Sequence, residues 1–306
     1  KSLDIPVGQD KQARARIRSQ LERMGKEEFL RQWNAAKKAE QQMSTLRKER
    51  DQWQQLYLSA LGRIYSNTED VKARADFLTD HLKSSRPIER LWALQKVSEW
   101  RMGTESKMPS ELGPVLVELV SDPNSKVRFD AASILAVMGE VDSAAALAEQ
   151  MKVEKDRQAR MEMFIALGQA CYYAKMPNSE MEVSSEIRTQ ALEYASEYLM
   201  SEDQSEAQKG AEVLRKLLEH NGLEKQAADK YLDFLAERFK KEPAGGENGT
   251  LRSELVNSMA VLCRQSAYRN QAVEKFAPLF EQALADGSSS IREAAVNGLI
   301  YIDKHK

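Results

Sequence analysis

The stretch "DPNSKVRFDAASILAVMG", residues 122–139, decides how this chain folds. It begins with a turn-forming tripeptide at 122–124 and continues into an alanine-rich apolar pattern that ends at Gly139. Arg128 is followed on the same helix face by three apolar residues, at spacings typical of a helix: Ala131, Leu135 and Met138. An arginine on such a stripe is either an anion-binding residue or a part of the architecture.

A second copy of the pattern lies near the end of the chain and favours the architectural reading. Successive spacings of 8, 5 and 1 separate Pro114, Asp122, Val127 and Arg128. The same three spacings separate Pro278, Asp286, Ile291 and Arg292, in a chain with only eight prolines. Less complete copies occur at Glu89-Arg90, Asp156-Arg157 and Leu251-Arg252. These residues therefore read as markers of an internal repeat.

The pattern resembles the HEAT repeat family, whose units are antiparallel helix pairs with a Pro in the first helix, an Asp at the turn and Val-Arg at the start of the second. The resemblance covers about three quarters of the chain. It implies that the proline bends the first helix, that the turn Asp accepts from N–H groups at the start of the second, and that the Arg reaches the next unit's turn Asp. The structural markers are then Pro114, Asp122, Arg128, Pro278, Asp286 and Arg292.

Composition and patterning agree on an all-α protein. The chain has 306 residues, 30% of them charged and 7% aromatic, and its turn clusters separate segments of helical periodicity. No stretch shows the period-two alternation of a strand. We expect an α-α superhelix, a HEAT-like solenoid of about six hairpins near 70–102, 108–140, 142–173, 184–221, 223–266 and 268–306. Residues 1–66 would form a separate coiled-coil-like helix, and 67–306 the repeat domain.

The N-terminal segment predicts a long basic amphipathic helix. From Asp10 to Arg63 there are 13 Lys or Arg against 7 Asp or Glu, with an imperfect heptad of apolar residues. This helix can form a homodimer or cover the first repeat, and a weaker alternative is that its basic face binds nucleic acid or an anionic membrane. Trp33 and Trp53 fall in the seam, which indicates packing residues rather than base-stacking platforms.

The residues offer little for catalysis, a metal or a cofactor. The three histidines are isolated, the two cysteines, Cys171 and Cys263, lie in apolar helical patterns, and no phosphate-binding glycine loop is present. The repeated His-Glu pairs of the HEAT-like deoxyhypusine hydroxylases are also absent. We predict no cofactor and no enzymatic activity. No apolar run is long enough to span a membrane, and the compartment stays open.

The predicted function is a protein-interaction scaffold that binds a partner protein or peptide on the concave face, which second helices line in HEAT arrays. The candidate contact residues are exposed polar positions of those helices: Asp130, Ser133, Gln158, Glu162, Lys209, Glu254, Asn257, Glu293 and Asn297. The alternative is a DNA-binding protein like the HEAT-like alkylpurine DNA glycosylases. A net charge of −2 and a neutral-to-acidic face argue against nucleic acid.

Overall fold

A computed structural model describes residues 11–102, 109–223, 225–244 and 249–304. The chain divides into two compact units, Lys1–Thr68 and Glu69–Lys306. All regular structure in the described residues is helical, which confirms the all-α prediction. None of the helices in these ranges is long and apolar enough to cross a membrane.

The described residues of the first unit form two helices, α1 (Lys11–Met24) and α2 (Lys26–Asn67). The long N-terminal helix that the sequence predicted is present as α2, and Gly25, with a φ of 81°, separates it from the shorter α1. Phe29 is buried and stacks against Trp33 with ring centroids 6.0 Å apart. Trp53, predicted to be a packing residue, is 72% exposed.

The second unit is an array of six helical hairpins whose positions agree with the predicted ranges. The first helix of each pair belongs to one set: α3 (Val71–Leu82), α5 (Leu112–Leu119), α7 (Ala144–Met151), α9 (Ser185–Leu199), α11 (Lys225–Lys241) and α13 (Arg269–Ala283). The second helices are α4 (Pro87–Met102), α6 (Ser125–Met138), α8 (Arg157–Tyr173), α10 (Gln204–Leu218), α12 (Gly249–Leu262) and α14 (Ser289–Lys304).

The hairpins stack so that each set of helices forms its own layer. Every first helix contacts the first helix of the next hairpin, and every second helix contacts the next second helix. The fully buried side chains come from both layers, such as Leu116 and Phe276 from first helices and Leu135 and Phe164 from second helices. The hydrophobic core therefore runs between the layers, as expected when two-helix units bury their faces against their neighbours.

Two details of the predicted turn chemistry are wrong. Pro114 is the third residue of α5, where its missing N–H costs no helical hydrogen bond, so it does not bend the helix. Pro278, in contrast, lies inside α13. Asp122 accepts from the N–H of Asn124 at 2.8 Å, while Asn124 itself caps α6. The side chain of Asp122 thus holds the turn, and Asn124, two residues later, accepts from the N–H groups of Lys126 and Val127 at the start of α6.

The repeat arginines tie each turn to the next one. The Nη2 atom of Arg90 donates to Asp122 Oδ1 at 2.8 Å, Arg128 Nη2 donates to Glu154 Oε1 at 2.6 Å, and Arg252 Nε donates to Asp286 Oδ2 at 2.6 Å. The acid that Arg128 meets is therefore a glutamate rather than the expected aspartate. Each of these arginines also donates to a backbone carbonyl of its own hairpin: Ser84 O, Asp122 O, and Phe239 O with Glu242 O.

The third hairpin departs from this rule. Asp156 is the N-cap of α8, so Arg160, whose N–H donates to the Asp156 carbonyl at 2.9 Å, is the equivalent of Arg128. The sequence pattern placed the repeat arginine at Arg157, three residues before this position. Arg157 instead binds the next turn directly, with Asp203 Oδ2 at 2.6 Å and Glu206 Oε1 at 2.7 Å.

The last hairpin carries a repeat arginine with no following turn in the described residues. Arg292 donates to the carbonyls of Asp286 and Gly287 at 2.7 and 2.9 Å, and it is exposed. Arg90 and Arg252, which reach the next hairpin, are 6% and 4% exposed. The same sequence marker therefore has two environments, one inside the array and one at its edge.

Candidate partner-binding face

The nine predicted contact residues all lie on second helices, and none of them is buried. Four are exposed: Gln158, Asn257, Glu293 and Asn297. Five are half-buried: Asp130, Ser133, Glu162, Lys209 and Glu254. The solvent side of the second-helix layer is called the second-helix face below. Binding by these residues remains a prediction.

One groove crosses the second-helix face at α6, α8 and α10 and has a volume of about 440 Å³. We call it the first groove. Two predicted residues, Gln158 and Glu162, line it beside Phe129 and Met161. Its far wall is the ion pair of Arg157 with Asp203 and Glu206. The hydrogen bonds to Glu206 and Asp203 raise the pKa of Arg157, so this wall stays charged at every pH that keeps the carboxylates ionised.

A second groove crosses the same face at α10, α12 and α14, with a volume of about 360 Å³. We call it the second groove. It brings together three predicted residues from two helices, Glu254, Asn257 and Asn297. Two arginines complete its polar lining, Arg215 and Arg264. The remaining lining is apolar: Ala260, Val261 and Ala294.

The two arginines of the second groove differ in their contacts and in their exposure. Arg215 is bound to Glu219 and lies 3.5 Å from Glu254 Oε1. Burial opposes the charge of Arg215, but these two carboxylates raise its pKa. Arg264 is exposed, and its guanidinium carbon lies 5.2 Å from the centroid of the Tyr301 ring. The groove thus presents one exposed cation and two exposed amides to a ligand.

Four predicted residues line neither groove: Asp130, Ser133, Lys209 and Glu293. Asp130 accepts from Lys126 Nζ at 2.7 Å, and Lys209 Nζ donates to Glu212 Oε2 at 3.0 Å. The sequence pattern missed Arg215 and Arg264, which the prediction had not placed on this face. Arg264 follows the end of α12, where helical periodicity no longer indicates a direction.

The groups that could perform chemistry are engaged or shielded elsewhere. Burial raises the pKa of the Cys171 thiol to about 11 and that of Cys263 to about 12, so both are protonated near neutral pH. His81 Nδ1 lies 3.5 Å from Glu89, and His220 lies 3.3 Å from the Tyr172 hydroxyl. His305 is outside the described residues. Within those residues, no group of three or more His, Cys, Asp or Glu side chains is placed to hold a metal ion.

Comparison with known proteins agrees with the architecture. Residues 75–168 match the family model described as HEAT repeats. A designed armadillo repeat protein in complex with the peptide (KR)4 is 16% identical with a TM-score of 0.55, covering 76% of this chain and 99% of that one. An archaeal HEAT-like repeats protein from Thermococcus onnurineus NA1 is 15% identical with a TM-score of 0.50, covering 83% and 97%.

An engineered protein solved as a structural genomics target is 17% identical with a TM-score of 0.54, and the match covers 78% of this chain and 98% of that one. At such identities the likeness concerns the fold alone. No curated protein matches this sequence.

Proposed function

Because the chain folds as a solenoid of helical hairpins and residues 75–168 match the HEAT repeats model, we propose that it is a non-enzymatic scaffold that binds a partner protein or peptide in the second groove. The observation that carries the proposal is a convergence on one groove of Asn257 and Asn297, from successive second helices, with Arg264, which follows the end of α12. Exposed amides can pair with the N–H and C=O groups of an extended peptide backbone. A designed armadillo protein of this fold holds a peptide, which supports a peptide-binding role.

The chemistry of the groove favours a ligand with a carboxylate. Glu254 is already engaged by Arg215 and by the Ser258 hydroxyl at 3.2 Å, so the cation that faces solvent is Arg264. Arginine binds carboxylates through two parallel N–H donors. An acidic peptide segment flanked by small apolar residues would therefore complement both the charge and the apolar floor of the groove.

The non-enzymatic part of the proposal rests on the state of the reactive groups. Both cysteines are buried and protonated, and His81 and His220 take part in packing contacts with aromatic rings. The DNA-binding alternative gains no support from the first groove, because the carboxylates of Glu162, Asp203 and Glu206 in its lining repel phosphate.

Self-association through the N-terminal helix is the second part of the proposal. A homodimer would present two copies of the array to a partner and raise its affinity for a partner with two binding segments. The exposed apolar side chains of α2 support this pairing.

Comparative affinity purification tests the binding groove. Full-length wild type, Arg264→Glu and the control Lys175→Glu are used as baits at equal amounts, and bound proteins are quantified. Lys175 is exposed and lines neither groove, so its reversal makes the same charge change away from the site. We expect at least one partner to be retained by wild type and the control and to be lost with Arg264→Glu. Identical partner profiles for all three baits would refute the groove assignment.

A further inference from the structure

The surface of α2 carries a concentration of exposed apolar side chains that the array does not have. Of the thirteen large apolar side chains exposed in the described residues, six lie on α2: Met43, Leu46, Trp53, Leu56, Tyr57 and Ile64. The other seven are spread over the array. Every residue from Asn34 to Leu56 is exposed, so the side chains of this part of the helix face solvent. Most helical stability in proteins comes from packing of an apolar face, so these exposed apolar side chains favour a partner surface.

Five of these six residues, all except Leu56, fall on a regular heptad between positions 39 and 64. Positions 43, 50, 57 and 64 are seven apart, as are 39, 46, 53 and 60, and the two series alternate by three and four. This is the a/d pattern of a two-stranded coiled coil. The only charged residue in the seam is Arg50, whose Nη2 atom lies 2.6 Å from Asp51 Oδ1.

We propose that α2 pairs with α2 of a second copy of this chain in an antiparallel coiled coil, with Arg50 of each copy packed on Trp53 of the other. In an antiparallel pair an a position faces a d position of the second helix. Placing the two-fold axis between residues 51 and 52 makes each facing pair add up to 103. Met43 then faces Ala60 and Leu46 faces Tyr57, so large side chains meet smaller or planar ones.

The charge of Arg50 selects the direction of the second helix. In a parallel, in-register pair Arg50 would face its own copy, and two like charges would meet inside the seam. In the antiparallel register it faces an indole, where a guanidinium within about 6 Å of the ring is attracted to the π face. Ala39 also gains a large partner, because it faces Ile64. The antiparallel register therefore avoids the contact between like charges and also pairs small side chains with large ones.

This pairing rests on the proposed self-association and not on the second groove. The full chain is measured by sedimentation equilibrium over the micromolar range, where we expect twice the 34.7 kDa monomer mass. Leu46→Glu should give the monomer mass. Val137→Glu is the matched control, because Val137 is 55% exposed on α6 and Leu46 is 58% exposed. A monomeric wild type, or a dimer that survives Leu46→Glu, would overturn the pairing.

Cysteine crosslinking tests the direction separately. The antiparallel register places Met43 opposite Ala60 of the second copy, whereas the two Met43 residues lie about 25 Å apart along the axis. The double variant Met43→Cys/Ala60→Cys should form a disulfide-linked dimer under mild oxidation, and Met43→Cys alone should not. Cys171 and Cys263 are buried and do not compete. Efficient crosslinking of the single variant would show a parallel pair, and a dimer that neither variant crosslinks would show another interface.

Discussion

At the scale of single residues, Arg128 is an architectural residue with a defined set of contacts. It donates to Glu154 and to the Asp122 carbonyl, so it closes its own turn and holds the next one. The sequence predicted this role from the matching spacings around Arg292. It did not identify Arg160, because Arg157 also precedes apolar residues at helical spacing, and only the capping role of Asp156 fixes the register.

Replacing a repeat arginine should lower the free energy of unfolding more inside the array than at its edge. Arg128→Ala leaves the Glu154 carboxylate, whose side chain has 0% exposure, without its ion pair. Breaking a buried pair on one side costs about 3–5 kcal/mol. Arg292→Ala removes two hydrogen bonds to backbone carbonyls, one part-buried and one exposed, and leaves no carboxylate without an ion pair, so it should cost only about 1 kcal/mol. Urea unfolding of the full chain measures both, and equal losses would contradict the distinction between interior and edge.

The ion pair of Arg128 with Glu154 should make the stability of the fold depend on pH. Burial alone would raise the pKa of Glu154, but hydrogen bonds from Arg128, the Asp156 N–H and Gln150 hold it below its ordinary value. The folded pKa is thus lower than the unfolded one. The contribution of this carboxylate is present above the ordinary glutamate pKa of about 4.3 and is lost as the pH falls through the folded value.

Between about pH 5 and pH 3 the wild type should therefore lose more stability than Glu154→Gln, which has no carboxylate to protonate. Glu149→Gln is the control, because Glu149 pairs with Lys152 at the surface. Thermal melts across this pH range measure the difference. Parallel curves for wild type and Glu154→Gln would show that the pair is not coupled to folding.

At the scale of helices, the sequence predicted which segments pair into hairpins. It did not predict where two paired helices approach each other most closely. The turn clusters and apolar spacing predicted six hairpins, and six are observed. Nothing in the sequence marks how closely α9 and α10 approach. An added Cβ atom at Gly210 would lie 2.2 Å from the backbone N of Leu199, so this glycine is required by packing.

Two glycines should respond in opposite ways to the same substitution. Alanine is favoured over glycine inside a helix by about 1 kcal/mol. At Gly62 in α2 an added Cβ atom meets nothing within 4 Å, so Gly62→Ala should stabilise the helix. Gly210→Ala should destabilise the array, because the backbone of α9 cannot yield. Circular dichroism melts compare the two variants, and a stabilised Gly210→Ala would contradict the close approach of the helices.

At the scale of the whole molecule, the fold class follows from the sequence and the binding groove does not. Marker spacing predicts a solenoid, because each hairpin needs neighbours to bury its apolar faces. The stacking of successive hairpins decides which exposed residues lie close together. It brings Arg215, Arg264 and the predicted Asn257 to one groove. The heptad of α2 was visible in the sequence. The sequence did not show that the side chains of this heptad are exposed.

Amide hydrogen exchange tests the central claim, that the array binds its partner on the second-helix face. The full chain is measured alone and with a partner that depends on Arg264. The account predicts slower exchange in α10, α12 and α14 on binding, with the first helices α9, α11 and α13 unchanged. Protection confined to the first helices would contradict it.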